Sequence, residues 1–107
     1  MDIQLKKGVL ELCVLKLLEK RDWYGYELVS EISKTIVIAE GTIYPLLRRV
    51  KEDGYVTTYL KESTEGPPRK YYNLTSKGKE VCKQFEREWV DFAVRVNNFI
   101  KLGDMNE

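Results

Sequence analysis

Apolar residues recur along most of this chain at helical period, with one interval where they alternate. From residue 3 to residue 20, Val9, Leu10, Leu12, Cys13, Val14, Leu15, Leu17 and Leu18 cover far more than one stripe. A helix apolar on most sides is buried on most sides, so helix one must pack on its own domain and on something further. Lys20-Arg21-Asp22 is a polar break, and Trp23-Tyr24-Gly25-Tyr26 opens helix two. There Leu28, Val29, Ile32 and Ile36 repeat at helical spacing, while Glu27, Ser30, Glu31 and Lys34 face water. The β-branched run Thr35-Ile36-Val37-Ile38 ends it and favours extended backbone.

A third helix follows, with Ile43, Leu46, Leu47 and Val50 at i, i+3, i+4 and i+7. Pro45 lacks a backbone donor and biases Tyr44 away from helical dihedrals. A start near Gly41 or Thr42 resolves this by placing Pro45 in the first turn, with Thr42 as N-cap. Gly54 stands where a helix C-terminus favours positive φ. Tyr55–Leu60 and Lys70–Leu74 are rich in β-branched and aromatic residues and read as a hairpin. Glu62–Arg69 between them is too polar and too Pro-rich to pair as strand. Leu74-Thr75-Ser76-Lys77-Gly78 leads into a last helix capped by Thr75 or Ser76. On it Cys82, Phe85, Trp89, Phe92, Val96 and Phe99 alternate steps of three and four, a heptad seam. Asp104–Glu107 reads as a polar tail.

The predicted fold is mainly α with a small β-hairpin: a winged helix-turn-helix over residues 1–75, then a dimerisation helix over 76–103. A monomer of 107 residues has little left to cover the aromatic seam, so a second copy of the chain is the expected cover, with helix one also packing in the dimer. Charged residues make up 33% and nearly cancel at +1, so the total does not mark a nucleic-acid binder. A balanced total still permits a local basic face. The outer side of helix three carries Gly41, Pro45, Arg48 and Glu52, flanked by Thr42, Tyr44, Arg49 and Lys51. Small, hydroxyl and arginine side chains from the N-terminal half of a helix suit the major groove. Arg69 and Lys70 at the hairpin add charge on the same side of a winged helix.

Other chemistries find little here. No histidine is present, and Cys13 and Cys82 lie inside apolar helical patterns, so they read as small buried hydrophobes rather than zinc ligands or a disulfide. No cofactor is implied. Catalysis would need a nucleophile–base pair or a Gly-rich phosphate loop, and neither has a recognisable spacing. Glu11 and Glu19, like Glu80 and Glu88, read as solvated faces. No apolar run spans a membrane and no signal-peptide order opens the chain, which implies a cytoplasmic protein.

Three ordered motifs carry a resemblance over nearly the whole chain. They are Tyr24-Gly25-Tyr26-Glu27-Leu28; Gly41–Val50 with Glu52-Asp53-Gly54-Tyr55-Val56; and Gly66–Thr75 with Lys77-Gly78. The set resembles the PadR family of bacterial transcriptional regulators. That resemblance implies a winged-helix DNA-binding domain, a single C-terminal dimerisation helix and repression of nearby genes, often for phenolic acid detoxification or multidrug export. In small drug-responsive members a tryptophan on the last helix lines a pore at the dimer centre and stacks flat ligands. Trp89 falls at that position, with Leu5, Gly8 and Leu12 of helix one and Phe92 and Ala93 as neighbours. Ala93 stands where some relatives carry an acid that holds cationic drugs. The expected partners are therefore a pseudo-palindromic duplex operator and a small aromatic or lipophilic effector. Thr42, Tyr44, Pro45 and Arg48 would approach bases or adjacent phosphates. Tyr24, Lys34 and Arg49 would anchor the backbone, and Pro67, Arg69 and Lys70 would form the wing. The alternative reading is a winged-helix protein-interaction module without specific DNA binding.

Overall fold

A computed structural model describes the backbone of residues 3–105 and the side chains of residues 8–103. The elements run α1 (Ile3–Lys20), β1 (Trp23–Tyr24), α2 (Gly25–Ser33), α3 (Glu40–Glu52), β2 (Val56–Ser63), β3 (Gly66–Leu74) and α4 (Ser76–Met105). The three strands form an antiparallel sheet in the order β1-β3-β2. This is a winged helix followed by one long helix.

α1 is the hub, touching α2, α3, α4 and β3. Its Leu10, Val14, Leu15 and Leu18 meet Leu28 and Ile32 of α2, the α3 stripe Ile43, Leu46, Leu47 and Val50, and Val56, Tyr72 and Leu74 of the sheet. α4 of the same chain lies along part of the remaining side of α1, while Val9 and Leu12 stay half-buried. Cys82 of α4 belongs to this core and is 0% exposed, while Phe85 packs partly against it.

The end of α3 and the start of α4 are tied together through backbone groups. Gly54 has φ of 80°, its N–H donates to the Lys51 carbonyl, and the Tyr55 N–H donates to that of Val50. Those two bonds close a Schellman motif and satisfy the last carbonyls of α3. The Thr75 hydroxyl donates to the Gly54 carbonyl oxygen at 2.7 Å and accepts from the Gly78 N–H at 3.0 Å, so it caps α4 and ties it to the end of α3. Lys77 Nζ donates to the Asp53 carbonyl at 2.8 Å. Gly78 sits so close that a Cβ there would overlap the Tyr55 carbonyl oxygen and lie 2.7 Å from Leu74 Cδ1.

Several details differ from the sequence pattern. Trp23 and Tyr24 do not open α2 but form β1, opposite Tyr72 and Tyr71. α2 stops at Ser33, and Ile36 and Ile38 reach the core from the turn and loop that follow. α3 starts earlier than Gly41, with Ala39 as its N-cap and no side-chain cap, so Thr42 is not the cap and Pro45 lies in the second turn. The carbonyl that Pro45 leaves without a donor belongs to exposed Gly41, where water can satisfy it.

The proline-bearing segment is mostly strand, not loop. Lys61 pairs with Arg69 and Ser63 with Gly66, so Pro67 and Pro68 oppose Glu62 alone in a bulge. β1 reaches only Tyr71 and Tyr72, leaving β3 one-sided at the prolines, where a missing N–H costs the ladder little. α4 continues through Asp104 and Met105, which the pattern assigned to the polar tail; Asn106 and Glu107 lie outside the described residues.

Candidate nucleic-acid interface

The buried stripe of α3 leaves Gly41, Tyr44, Pro45, Arg48 and Glu52 exposed on one outer face, with Thr42 half-buried at its edge. Arg48 makes no ion pair among the described residues. Tyr44 is 40% exposed and lies near the buried Tyr72 hydroxyl, whose pKa rises through burial first and through Tyr44 second. Arg49 departs from the expected arrangement. It turns to α1, where Nη2 donates to Glu11 Oε2 at 3.0 Å, although its side chain stays about half exposed. Lys34, just past the end of α2, is exposed but paired with Glu31 at 2.8 Å, which lowers the Glu31 pKa.

The wing is a two-faced ribbon. Strand alternation sends Arg69 and Lys70 to opposite faces, so they do not act as one patch. The Arg69 guanidinium lies 5.1 Å from the centre of the Tyr24 ring, and Lys61 Nζ lies 5.5 Å from that of Tyr71. Tyr59 and Tyr71 stack at 5.6 Å, and the Tyr59 hydroxyl donates to Asp22 Oδ2 at 2.6 Å. Asn73 Nδ2 donates to the other Asp22 oxygen at 2.8 Å, which locks the approach to β1 onto the sheet. Tyr24 therefore supports the wing arginine through its half-buried ring. Lys61 is the basic residue that sequence reading missed, because its alignment with Arg69 depends on a register hidden by the bulge. Pro67 is exposed near the tip.

On the other side of the molecule, α1 and α4 frame a cavity of about 470 Å³. It brings together the expected Gly8, Leu12, Trp89 and Phe92, with Trp89 and Phe92 ring centres 6.3 Å apart. Val9, Glu11, Phe85 and Glu88 also line it, whereas Ala93 does not. The Leu5 side chain lies outside the described residues. Glu11 is thus not part of a solvated face: its side chain is only 12% exposed. The helical period of α1 could have placed Glu11 beside Leu12, but not its pairing with Arg49.

Along α4 the seam splits in two. Cys82 is corrected from an intersubunit position to the intrachain core, since a residue with no exposed surface cannot meet a partner. A heptad count cannot tell a seam covered by α1 from one covered by a second chain. Trp89, Phe92, Val96 and Phe99 remain 39–75% exposed, and Phe85 bridges the two parts. Among the described residues no helix is long and apolar enough to cross a membrane.

Comparison with known proteins gives this geometry a context. Residues 14–84 match the transcriptional regulator PadR-like family. A PadR-like transcriptional regulator from Bacillus cereus is 40% identical and superposes with a TM-score of 0.80, over 91% of this chain and 96% of that one. A PadR family transcriptional regulator from Eggerthella lenta is 32% identical with a TM-score of 0.78, over 91% and 86% of the two chains. A Streptococcus transcriptional regulator is 37% identical with a TM-score of 0.81, over 90% and 96%. The chain belongs to the PadR-like family and is a DNA-binding transcriptional regulator, not an enzyme.

Proposed function

We propose that this member of the PadR-like family is a homodimeric repressor whose two α3 helices enter successive major grooves of a pseudo-palindromic operator, and that a small aromatic or lipophilic ligand at the α1–α4 cavity relieves it. The observation that carries the reading is the division of the molecule into two unlike faces. α3 offers an exposed Tyr/Arg surface edged by the half-buried Thr42, ahead of a proline-tipped ribbon, while α4 offers an apolar face that water would penalise.

Thr42, Tyr44 and Arg48 approach base edges or adjacent phosphates, with Pro45 holding the backbone shape between them. Arg69, braced by Tyr24, and Lys70 on the opposite ribbon face contact flanking phosphates or the minor groove, with Pro67 at the tip. Lys34 makes a weaker backbone contact, since Glu31 already offsets its charge. Arg49 likewise makes a weaker backbone contact, since Glu11 already offsets its charge. The dimer forms along Trp89, Phe92, Val96 and Phe99, where covering each large apolar side chain is worth on the order of 1–3 kcal/mol. A partner's α4 laid on this face would also close the open side of the cavity.

Footprinting on the DNA upstream of the gene tests the proposal. Two protected half-sites one helical turn apart, or a whole multiple of it, are expected. A single protected half-site, or protection without two-fold symmetry, would refute the dimeric arrangement.

A further inference from the structure

The Glu11–Arg49 pair stands apart from the other ion pairs among the described residues. Lys16–Glu19, Lys34–Glu31 and Arg95–Asp91 are neighbours on one helix, Lys16–Glu86 joins α1 to α4, and Arg21–Glu27 bridges the turn before α2. Arg49–Glu11 alone in this set reaches α3. Its carboxylate is also the least exposed, 12% against 27–66% for the other acids. Glu11 has a second neighbour: it lines the α1–α4 cavity, whose wall is otherwise apolar apart from Glu88. Glu11 therefore borders a ligand space and, through its carboxylate, holds the DNA-facing helix one residue from Arg48. The cavity lining contains two acids and no base.

We propose that the Glu11–Arg49 ion pair links the cavity to α3, and that a flat aromatic ligand carrying a positive charge works the link by taking the Glu11 carboxylate from Arg49. The aromatic part of such a ligand packs on Trp89 and Phe92, and its cation takes the place of the guanidinium beside the largely buried Glu11 carboxylate, so Arg49 loses its partner. α3 is then no longer tied to α1 on that flank, and the fixed orientation that two half-sites require is lost. A neutral ligand of the same shape fills the cavity without competing for Glu11 and leaves the tie intact, which narrows the aromatic or lipophilic ligands proposed above to those carrying a positive charge. Glu11 and Arg49 are positioning residues in this scheme; neither contacts bases. The inference rests on the ligand-cavity reading given above, and it specifies how that site regulates DNA binding.

The test uses two probes of one shape, 2-naphthylmethylammonium and neutral 2-naphthylmethanol, on the full chain. Calorimetry reads occupancy, and fluorescence anisotropy of the upstream duplex reads operator affinity. In the wild-type protein the cation should lower operator affinity about tenfold at saturation, while the neutral probe binds with little effect. Glu11→Gln should weaken cation binding about three- to fivefold, and Arg49→Gln should tighten it by a similar factor, because the competing guanidinium is gone. Both variants should abolish the effect of the cation on DNA. Opposite signs in binding with a common loss of coupling are not what mere damage to the fold would produce, and Arg49 is exposed enough to be replaced if the Glu11 variant does not fold.

The link is overturned if the cation binds and still releases DNA from either variant, or if the neutral probe releases DNA as well as the cation. It is overturned too if operator affinity rises on cation binding. Failure of both probes to bind the wild-type protein would instead refute the ligand cavity itself, and the proposal with it.

Discussion

Replacing Gly78 with alanine should damage this protein far more than its place near a helix N-terminus suggests. Glycine at an open helical position costs about 0.5–1 kcal/mol relative to alanine, so the substitution would ordinarily stabilise. Here the added methyl meets the Tyr55 carbonyl and Leu74 Cδ1 together, and the first of these is backbone that cannot rotate away. Overpacking of that kind costs about 1–3 kcal/mol. Backing α4 away from the clash also breaks the bond from the Gly78 N–H to Thr75, a cap worth about 1 kcal/mol. The expected net loss is about 2 kcal/mol, or about 10 °C in melting temperature, read by thermal unfolding at a fixed protein concentration. Gly41, exposed on α3 with nothing within 4 Å of a Cβ and away from the α4 face, is the control: Gly41→Ala should leave the melting temperature unchanged or raise it. Equal melting temperatures for Gly78→Ala and the wild-type protein would refute the packing described for the junction.

Further outcomes follow from other parts of the structure. Phe92→Glu should convert the dimer to a folded monomer by light scattering, because Phe92 lies outside the core; a variant that stays dimeric would move the interface elsewhere. Arg48→Ala should narrow the affinity gap between operator and scrambled duplex, whereas Arg69→Ala should weaken both alike and reduce the salt slope by about one unit; the reverse pattern would exchange their roles. Burial, followed by the nearby Glu19 charge, pushes the Cys82 thiol from its usual 9.0 to about 11, and burial also raises Cys13. Because the folded pKa of Cys82 lies above its unfolded value, the stability it lends is fully present below pH 9 and declines as pH rises toward 11. Alkylation of the native protein at pH 8 should accordingly be slow and accelerate on unfolding; equally fast reaction in both states would contradict the burial.

Much of this architecture was legible in the residues, because local rules and burial agreed there. The α3 stripe from Ile43 to Val50 and the turn at Gly54 are examples, and so is Thr75 as a cap. The misreadings fall where a long-range partner decides. Two residues at Trp23–Tyr24 carry no period, and they become a strand only because Tyr71 and Tyr72 are there to pair. Pro67 and Pro68 look like loop until the short reach of β1 leaves that edge of β3 unpaired. Cys82 satisfies a heptad that α1 of the same chain covers. For the site, the exposed residues of α3 followed from period alone, but Lys61 opposite Arg69 needed the register. The contact between Glu11 and Arg49 spans elements whose relative placement no local pattern contains.

If α3 reads base edges, this chain recognises a particular DNA sequence. Anisotropy titration of the upstream duplex against a scrambled duplex of equal length, at two salt concentrations, addresses it directly. Binding to the upstream duplex should be about a hundredfold or more tighter, and binding to both should weaken steeply with salt. Equal, salt-sensitive affinity for the two duplexes would contradict sequence recognition. Absence of binding to either by a folded dimer would favour a protein as the partner of the α3 face.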